Sequence, residues 1–270
     1  MTGSLFLVFL FIFNMSVEFI TRNVFNTVVT GTSYDEMDFY TAAGAFWNTA
    51  MAASYVPALV LAALIVKDRP LSSYFSSMGG WRWKIFFMSL AAGFVVFGIS
   101  DIIRIALMGN SGEVKFTLGG FFMLALLLPL QGLAEEMLYR SFTMQTTGSW
   151  FKIPVIGLIT QIVFFTLVHP YNVIGRIDIA LAALLYGLIC VVSRGIEAAS
   201  ALHILNNSIG IFMAGFGFGT ITAEQTIKDS IIVMILRILF FLIVLYADRK
   251  LHLFEEVKYD DVRAFNEKAE

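Results

Sequence analysis

Runs of about 20 mostly apolar residues recur along the whole chain, and they constrain its fold more than any other feature. Lipid cannot satisfy backbone hydrogen bonds, so such runs cross a membrane as helices. The chain is 58% hydrophobic and 14% charged, whereas a soluble domain is about 25% charged. We therefore expect an all-α, polytopic membrane bundle with no soluble domain. The eight expected transmembrane helices cover residues 4–20, 45–66, 84–108, 117–140, 153–169, 178–193, 197–214 and 230–247.

Basic residues are divided unevenly between the two sets of loops that eight spans would create. One set holds 12 Lys or Arg and the other holds 5. Cytoplasmic loops carry the excess of Lys and Arg, so we expect both the N-terminus and the C-terminus in the cytoplasm. The larger set is Lys67, Arg69, Arg82, Lys84, Arg140, Lys152, Arg194, Arg249, Lys250, Lys258, Arg263 and Lys268, and the smaller is Arg22, Arg104, Lys115, Arg176 and Lys228.

Charge and small residues limit the partners further. The net charge of -2 gives no reason to expect nucleic-acid binding, so the lipid bilayer is the first partner that the sequence predicts. Cys190 is the single cysteine, which excludes a disulfide within the chain. Ala183 and Gly187 lie four residues apart, and residues 198–201 are all small. These positions indicate close helix packing.

Two adjacent glutamates lie in the fourth expected span, where a charge is costly. Ionisable residues within a membrane are rare and point to function. Glu136 and Arg140 are four residues apart, so they share a helix face and can form an ion pair. Glu135 lies about 100° further round the helix and can face something else. Other ionisable or amide residues within the spans include Gln131, Gln161, His169, His203, Asn206, Asn207 and Arg237.

Polar residues on two later helices are spaced to face the glutamates across a shared cavity. His169 is four residues after Phe165 and eight after Gln161, and His203 is four before Asn207. A carboxylate with a histidine can deprotonate water. A second histidine with an asparagine amide can donate to an oxyanion. This set of groups predicts hydrolysis of an amide bond.

Three ordered motifs resemble those of the CAAX-protease and bacteriocin-processing family, also called CPBP or Abi, of intramembrane glutamate-type proteases. Glu135-Glu136-x-x-x-Arg140 is similar to its EExxxR motif. Phe165-x-x-x-His169 is similar to FxxxH, and His203-x-x-x-Asn207 is similar to HxxxN. The resemblance covers about residues 117–214, which we expect to form the catalytic core. Three N-terminal spans would precede it in 1–116, and the last span and cytoplasmic tail would follow in 215–270.

The resemblance implies an endopeptidase whose site opens to the cytosol. Glu135 would activate water together with His169, and His203 with Asn207 would form the oxyanion hole. Glu136 and Arg140 would support the site structurally. The implied substrate is a peptide or a membrane-associated protein, processed in peptide maturation, bacteriocin immunity or signalling. The expected location is a multi-pass protein of a cell membrane, the bacterial plasma membrane.

One geometric condition accompanies this interpretation. In a simple ladder of spans, Glu135 and His169 would lie at different depths in the membrane. They can meet if the fourth helix continues past Arg140 to about Thr146.

Other functions remain open from the residues alone. We expect no cofactor, but His169 and His203 with a glutamate could hold a catalytic zinc. The same cleft could bind a sensor kinase or a bacteriocin without proteolysis. A glutamate and a histidine could also form the proton relay of a transporter, although the sequence lacks an inverted repeat. Arg237 fits none of the motifs.

Overall fold

Helices make up the regular structure of the part of the chain that the computed structural model describes, which is residues 1–28, 38–108, 112–252 and 254. The expected all-helical bundle is confirmed. The first half contains α1 (Thr2–Asn23), α2 (Ala42–Ala53), α3 (Tyr55–Val66) and α4 (Trp83–Met108). The second half contains α5 (Leu118–Glu136), a π-helical segment (Met137–Met144), α6 (Gln145–Phe151), α7 (Pro154–Leu167), α8 (Val173–Ser193), α9 (Glu197–Gly215) and α10 (Ile227–Leu251).

Six stretches of these helices are long and apolar enough to cross a membrane, among the described residues. Each of the eight expected spans is helical, but two differ from a typical span. The fifth, α7, has only 14 residues. The seventh, α9, is not among the six, because polar residues such as His203 and Asn207 lower its hydropathy. This helix is shielded from lipid by its neighbours, and most of its first half is buried.

The fourth helix continues well beyond the glutamates, as the depth argument required. Residues Leu118–Phe151 form one uninterrupted helical stretch of 34 residues. Thr117 caps its N-terminus by accepting a hydrogen bond from the backbone N–H of Gly120 at 3.0 Å. Immediately after Glu136 the helix widens into the π segment, a form that occurs often at functional sites.

Small residues bring the central helices close together, which confirms their predicted packing role. Ala198, Ala199 and Ala201 on α9 are fully buried. A Cβ added at Gly132 on α5 would lie 2.8 Å from the side chain of Ile204 on α9. A Cβ at Gly187 would overlap a neighbouring side chain on α7. α9 is therefore held in contact with α5 at the level of the glutamates.

The loops gather at two ends of the bundle. The basic end consists of residues 67–82, 152–153 and 194–196, and there the backbone N–H of Ser77 bonds the carbonyl of Arg194 at 3.0 Å. The opposite end consists of residues 38–41, 112–117, 168–172 and 216–226. Its loops are joined by backbone bonds such as Asn172 to Ala223, at 3.0 Å.

Candidate active site

A cavity of about 610 Å³ lies among α2, α5 and α7 to α10. Its apolar wall includes Phe165 and Ile179. The residues expected to be catalytic, Glu135, His169, His203 and Asn207, all line it. Its other polar or charged lining residues, none of them at a fixed motif position, include Gln131, Asp178, Asn206 and Arg237.

Glu136 is held in a buried cluster behind the cavity. Its Oε1 accepts a hydrogen bond from Arg140 Nη1 at 2.9 Å and another from His203 Nδ1 at 2.7 Å. Glu136 and Arg140 are both fully buried. The predicted ion pair is confirmed. The bond to His203 was not predicted, because it joins helices that are 67 residues apart in sequence.

Aromatic rings surround the guanidinium of Arg140. Its Cζ lies 4.4 Å from the ring centre of Phe165 and 5.2 Å from that of Tyr186. Ring faces attract a cation, so the two rings stabilise the parts of the guanidinium that Glu136 does not contact. Phe165, the first residue of the FxxxH motif, therefore packs against the arginine of the EExxxR motif.

Glu135 has a different environment from its neighbour. Its Oε1 accepts a hydrogen bond from Gln131 Nε2 at 3.3 Å. Its Oε2 lies 3.6 Å from His203 Nε2 and has no hydrogen-bond partner among the described residues. One carboxylate is thus fixed by a cation and lies behind the cavity, and the other belongs to a side chain that lines the cavity.

His169 lies just beyond the C-terminus of α7. Its Nδ1 is 2.6 Å from the carbonyl oxygen of Phe165. A carbonyl only accepts hydrogen bonds, so this contact places a proton on Nδ1. In the neutral ring, Nε2 then carries a lone pair that can take a proton from water. The histidine both caps the end of its helix and retains one basic nitrogen.

His203 is oriented by the buried cluster. Because Nδ1 donates to Glu136, Nε2 can donate a hydrogen bond only when the ring carries both protons. The cluster contains two carboxylates, Glu135 and Glu136, and one guanidinium, Arg140. A role of His203 Nε2 as an oxyanion donor therefore requires the ring with both protons.

A second buried ion pair lies on the other side of the cavity. Arg237 Nη1 on α10 contacts the two carboxylate oxygens of Asp178 on α8 at 2.9 and 3.1 Å. Asp178 was missed in the sequence because it falls at the first position of an expected span. Arg237 was noted but could not be assigned a partner. Charge complementarity between spans was the one signal that could have linked them.

Gln161 does not belong to the site, although it shares a helix stripe with Phe165 and His169. It is fully buried, and its Nε2 donates to the backbone carbonyl of Ala183 on α8 at 3.0 Å. It is not among the residues that line the cavity. Its role in the structure is to join α7 to α8.

Metal binding was the alternative for this set of residues. Among the described residues, no group of three or more His, Cys, Asp or Glu side chains lies close enough together to hold a metal ion. Glu136 is already engaged by Arg140 and by His203 Nδ1. The direct test of zinc is a metal-dependence experiment, described below.

The loops that line the cavity belong to the opposite end of the bundle. They contribute Phe39, Pro170, Tyr171 and residues 220–222, whereas no residue of the basic end lines the cavity. The resemblance implied a site open to the cytosol, and the Lys/Arg imbalance implied a cytoplasmic basic end. These two expectations conflict with each other in this structure.

Fold and site together define a multi-pass membrane protein with a glutamate and histidine site in a cavity between its helices. Residues 117–209 match the family model described as type II CAAX prenyl endopeptidase Rce1-like. This match agrees with the CAAX protease family that the three motifs predicted, and it indicates a CAAX-type intramembrane endopeptidase in general. No curated protein and no solved structure matches the chain.

Proposed function

We propose that the chain hydrolyses a peptide bond within the membrane, with water activated by Glu135 and His169. The observation that carries this proposal is the different environment of two adjacent glutamates. Glu136 is engaged through Oε1 by Arg140 and His203 and does not line the cavity, while Glu135 lines the cavity and its Oε2 lacks a hydrogen-bond partner among the described residues. A water bound between Glu135 Oε2 and His169 Nε2 would lose its proton to this pair as it attacks.

The attack converts the scissile carbonyl into a tetrahedral intermediate with a negative oxygen. His203 Nε2–H and the amide of Asn207 are the donors for that oxyanion. When the intermediate collapses, the C–N bond breaks and the proton held by Glu135 and His169 passes to the leaving amine. Glu136 and Arg140 take no part in proton transfer, and they hold His203 in position.

The proposed substrate is a peptide or membrane-associated protein that enters the cavity in an extended conformation. The processes we favour are peptide maturation, bacteriocin immunity or signalling in a bacterial plasma membrane. The family match supports proteolysis in general, and the polar cavity wall supports a substrate backbone as its occupant.

Comparative peptide profiling identifies the substrate. Membranes that contain the wild-type protein are compared with membranes that contain Glu135→Gln, and a peptide missing from the second set gives the cleavage sequence. An internally quenched peptide with that sequence then becomes the reporter peptide. Glu113→Gln is the matched control, because Glu113 is an exposed loop residue outside this cavity.

With purified protein, Glu135→Gln and His169→Ala should abolish turnover of the reporter peptide and leave its binding largely intact. Asn207→Ala should lower kcat by about 10²–10³ with little change in KM, the usual loss for one oxyanion donor. Glu113→Gln should behave as wild type.

Two outcomes would contradict this mechanism. Loss of activity on chelation with recovery at one equivalent of zinc would replace it with metal catalysis. Identical peptide profiles in the two membrane samples, with retained cellular activity of the three variants, would favour a non-proteolytic binding partner.

A further inference from the structure

Arg237 belongs to none of the three motifs and lies outside the segment that matches the family, yet it borders the cavity. It is only 4% exposed. Besides its contacts to Asp178, its Nη2 donates to Asn206 Oδ1 at 3.2 Å. Asn206 Nδ2 in turn donates to Asn207 Oδ1 at 3.2 Å. A continuous polar chain thus joins α8, α10 and the end of the HxxxN motif.

The direction of each hydrogen bond in this chain follows from its first member. A guanidinium has only donors, so Asn206 must turn its oxygen toward Arg237. That orientation leaves the Nδ2 group of Asn206 to face Asn207. Asn207 must then present its own oxygen to Asn206, and its Nδ2 is left as the group that can donate elsewhere.

This orientation matters because the two ends of a carboxamide have opposite effects on an anion. Nδ2 stabilises a negative oxygen by donating to it, and Oδ1 in the same place would repel it. Nothing within the isolated Asn207 side chain favours one orientation, and the two have nearly the same shape. The choice must therefore come from a neighbour with a fixed hydrogen-bonding role.

We propose that Asp178, Arg237 and Asn206 form a positioning chain that fixes the amide of Asn207 with Nδ2 as its free donor. Asp178 holds Arg237 in place and neutralises its charge. Arg237 fixes Asn206, and Asn206 fixes Asn207. The inference rests on the proposed role of Asn207 as an oxyanion donor. It makes Asn206 and Arg237 positioning residues, although neither occupies a fixed position of the three motifs.

Asn206→Asp tests the chain with almost no change of shape. The new carboxylate still accepts from Arg237, but it cannot donate to Asn207. The Asn207 amide should then turn its Nδ2 toward residue 206 and its oxygen away. We expect kcat for the reporter peptide to fall by about 10²–10³, with KM within about twofold of wild type. The melting temperature should be unchanged or raised, because Arg237 gains a charged partner.

A double-mutant cycle separates positioning from the effect of a new charge near the site. Asn206→Asp is measured alone and in the Asn207→Ala background. If Asn206 acts through Asn207, the second measurement should show no further loss of kcat. An equal loss in both backgrounds would overturn the positioning chain and assign the effect to the charge.

Failure of this inference can be told apart from failure of the proposed function. If Asn207→Ala lowers kcat and Asn206→Asp does not, the positioning chain is wrong and the oxyanion role stands. If Asn207→Ala leaves kcat unchanged, the oxyanion role itself is wrong, and the positioning chain is overturned with it. Arg237→Gln, which keeps a donor for Asn206, should retain more activity than Arg237→Leu if the hydrogen bond is what matters.

Discussion

The two ends of the helix bundle are built differently. At the basic end, Arg82 contacts Glu197 through Nε at 2.8 Å and Nη2 at 2.7 Å, and its Nη2 also donates to the carbonyl of Ser193. Glu197 is fully buried at the start of α9. At the opposite end, residues of the loops line the cavity. The basic end fixes the helix that carries His203, and the opposite end supplies the loops that border the cavity.

This difference raises the question of which side of the membrane the substrate comes from. The Lys and Arg residues near the basic end predict that it is cytoplasmic. The cavity would then open toward the other side of the membrane. A cavity open to the cytosol, as the family resemblance implies, would require the whole bundle to be inverted.

Topology is the first test, because its outcome is all or none. Reporters fused after Ser72 and after Tyr246 should both report the cytoplasm. In single-cysteine variants, Ser77→Cys should be protected from an impermeant thiol reagent in intact cells, and Glu113→Cys at the opposite end should be labelled. Both positions are exposed, and the native Cys190 is buried. The reverse pattern would invert the bundle and make the cavity cytosolic.

The stability of the basic end should depend strongly on the ion pair between Arg82 and Glu197. Arg82→Ala would leave the carboxylate of Glu197 buried with one backbone N–H, that of residue 82, as its remaining donor. Removing one partner of a buried pair costs about 3–5 kcal/mol. We expect a large loss of abundance and an early thermal transition in detergent, measured by intrinsic fluorescence.

The double variant Arg82→Ala with Glu197→Gln is the control for that measurement. It removes the uncompensated charge together with the pair, so it should recover part of the lost stability. If Arg82→Ala alone melts like wild type, the ion pair does not stabilise the basic end.

The sequence predicted the part of the site that depends on spacing within one helix. Glu136 and Arg140 pair because four residues make one helical turn, and Glu135 differs because one residue is about 100°. The extension of the fourth helix followed from the need for Glu135 and His169 to meet. The shared cavity followed from placing polar faces inward, since a polar face toward lipid is costly.

Contacts between helices could not be predicted from the sequence. The bond from His203 to Glu136 and the pair of Arg237 with Asp178 each depend on how two helices pack, and apolar spans carry little information about that. The π segment after Glu136 contains no proline or glycine that would have indicated an irregular helix. The polar character of α9 was visible, but its central position required the three-dimensional arrangement.

The smallest effect of a substitution is expected at the opposite end, where Asn172 joins two loops. Its Oδ1 accepts from the backbone N–H of Gly175 at 2.9 Å and so caps α8, and its Nδ2 donates to Glu224 and to the carbonyl of Gln225. Asn172→Ala should cost about 1 kcal/mol, the usual loss for an N-cap. Asn172→Asp keeps the cap but removes the two donated bonds, so it separates helix capping from loop attachment. If the loops of the opposite end control access, Asn172→Asp should change KM for the reporter peptide while kcat stays near wild type. An unchanged KM in both variants would mean that this loop contact does not control entry to the cavity.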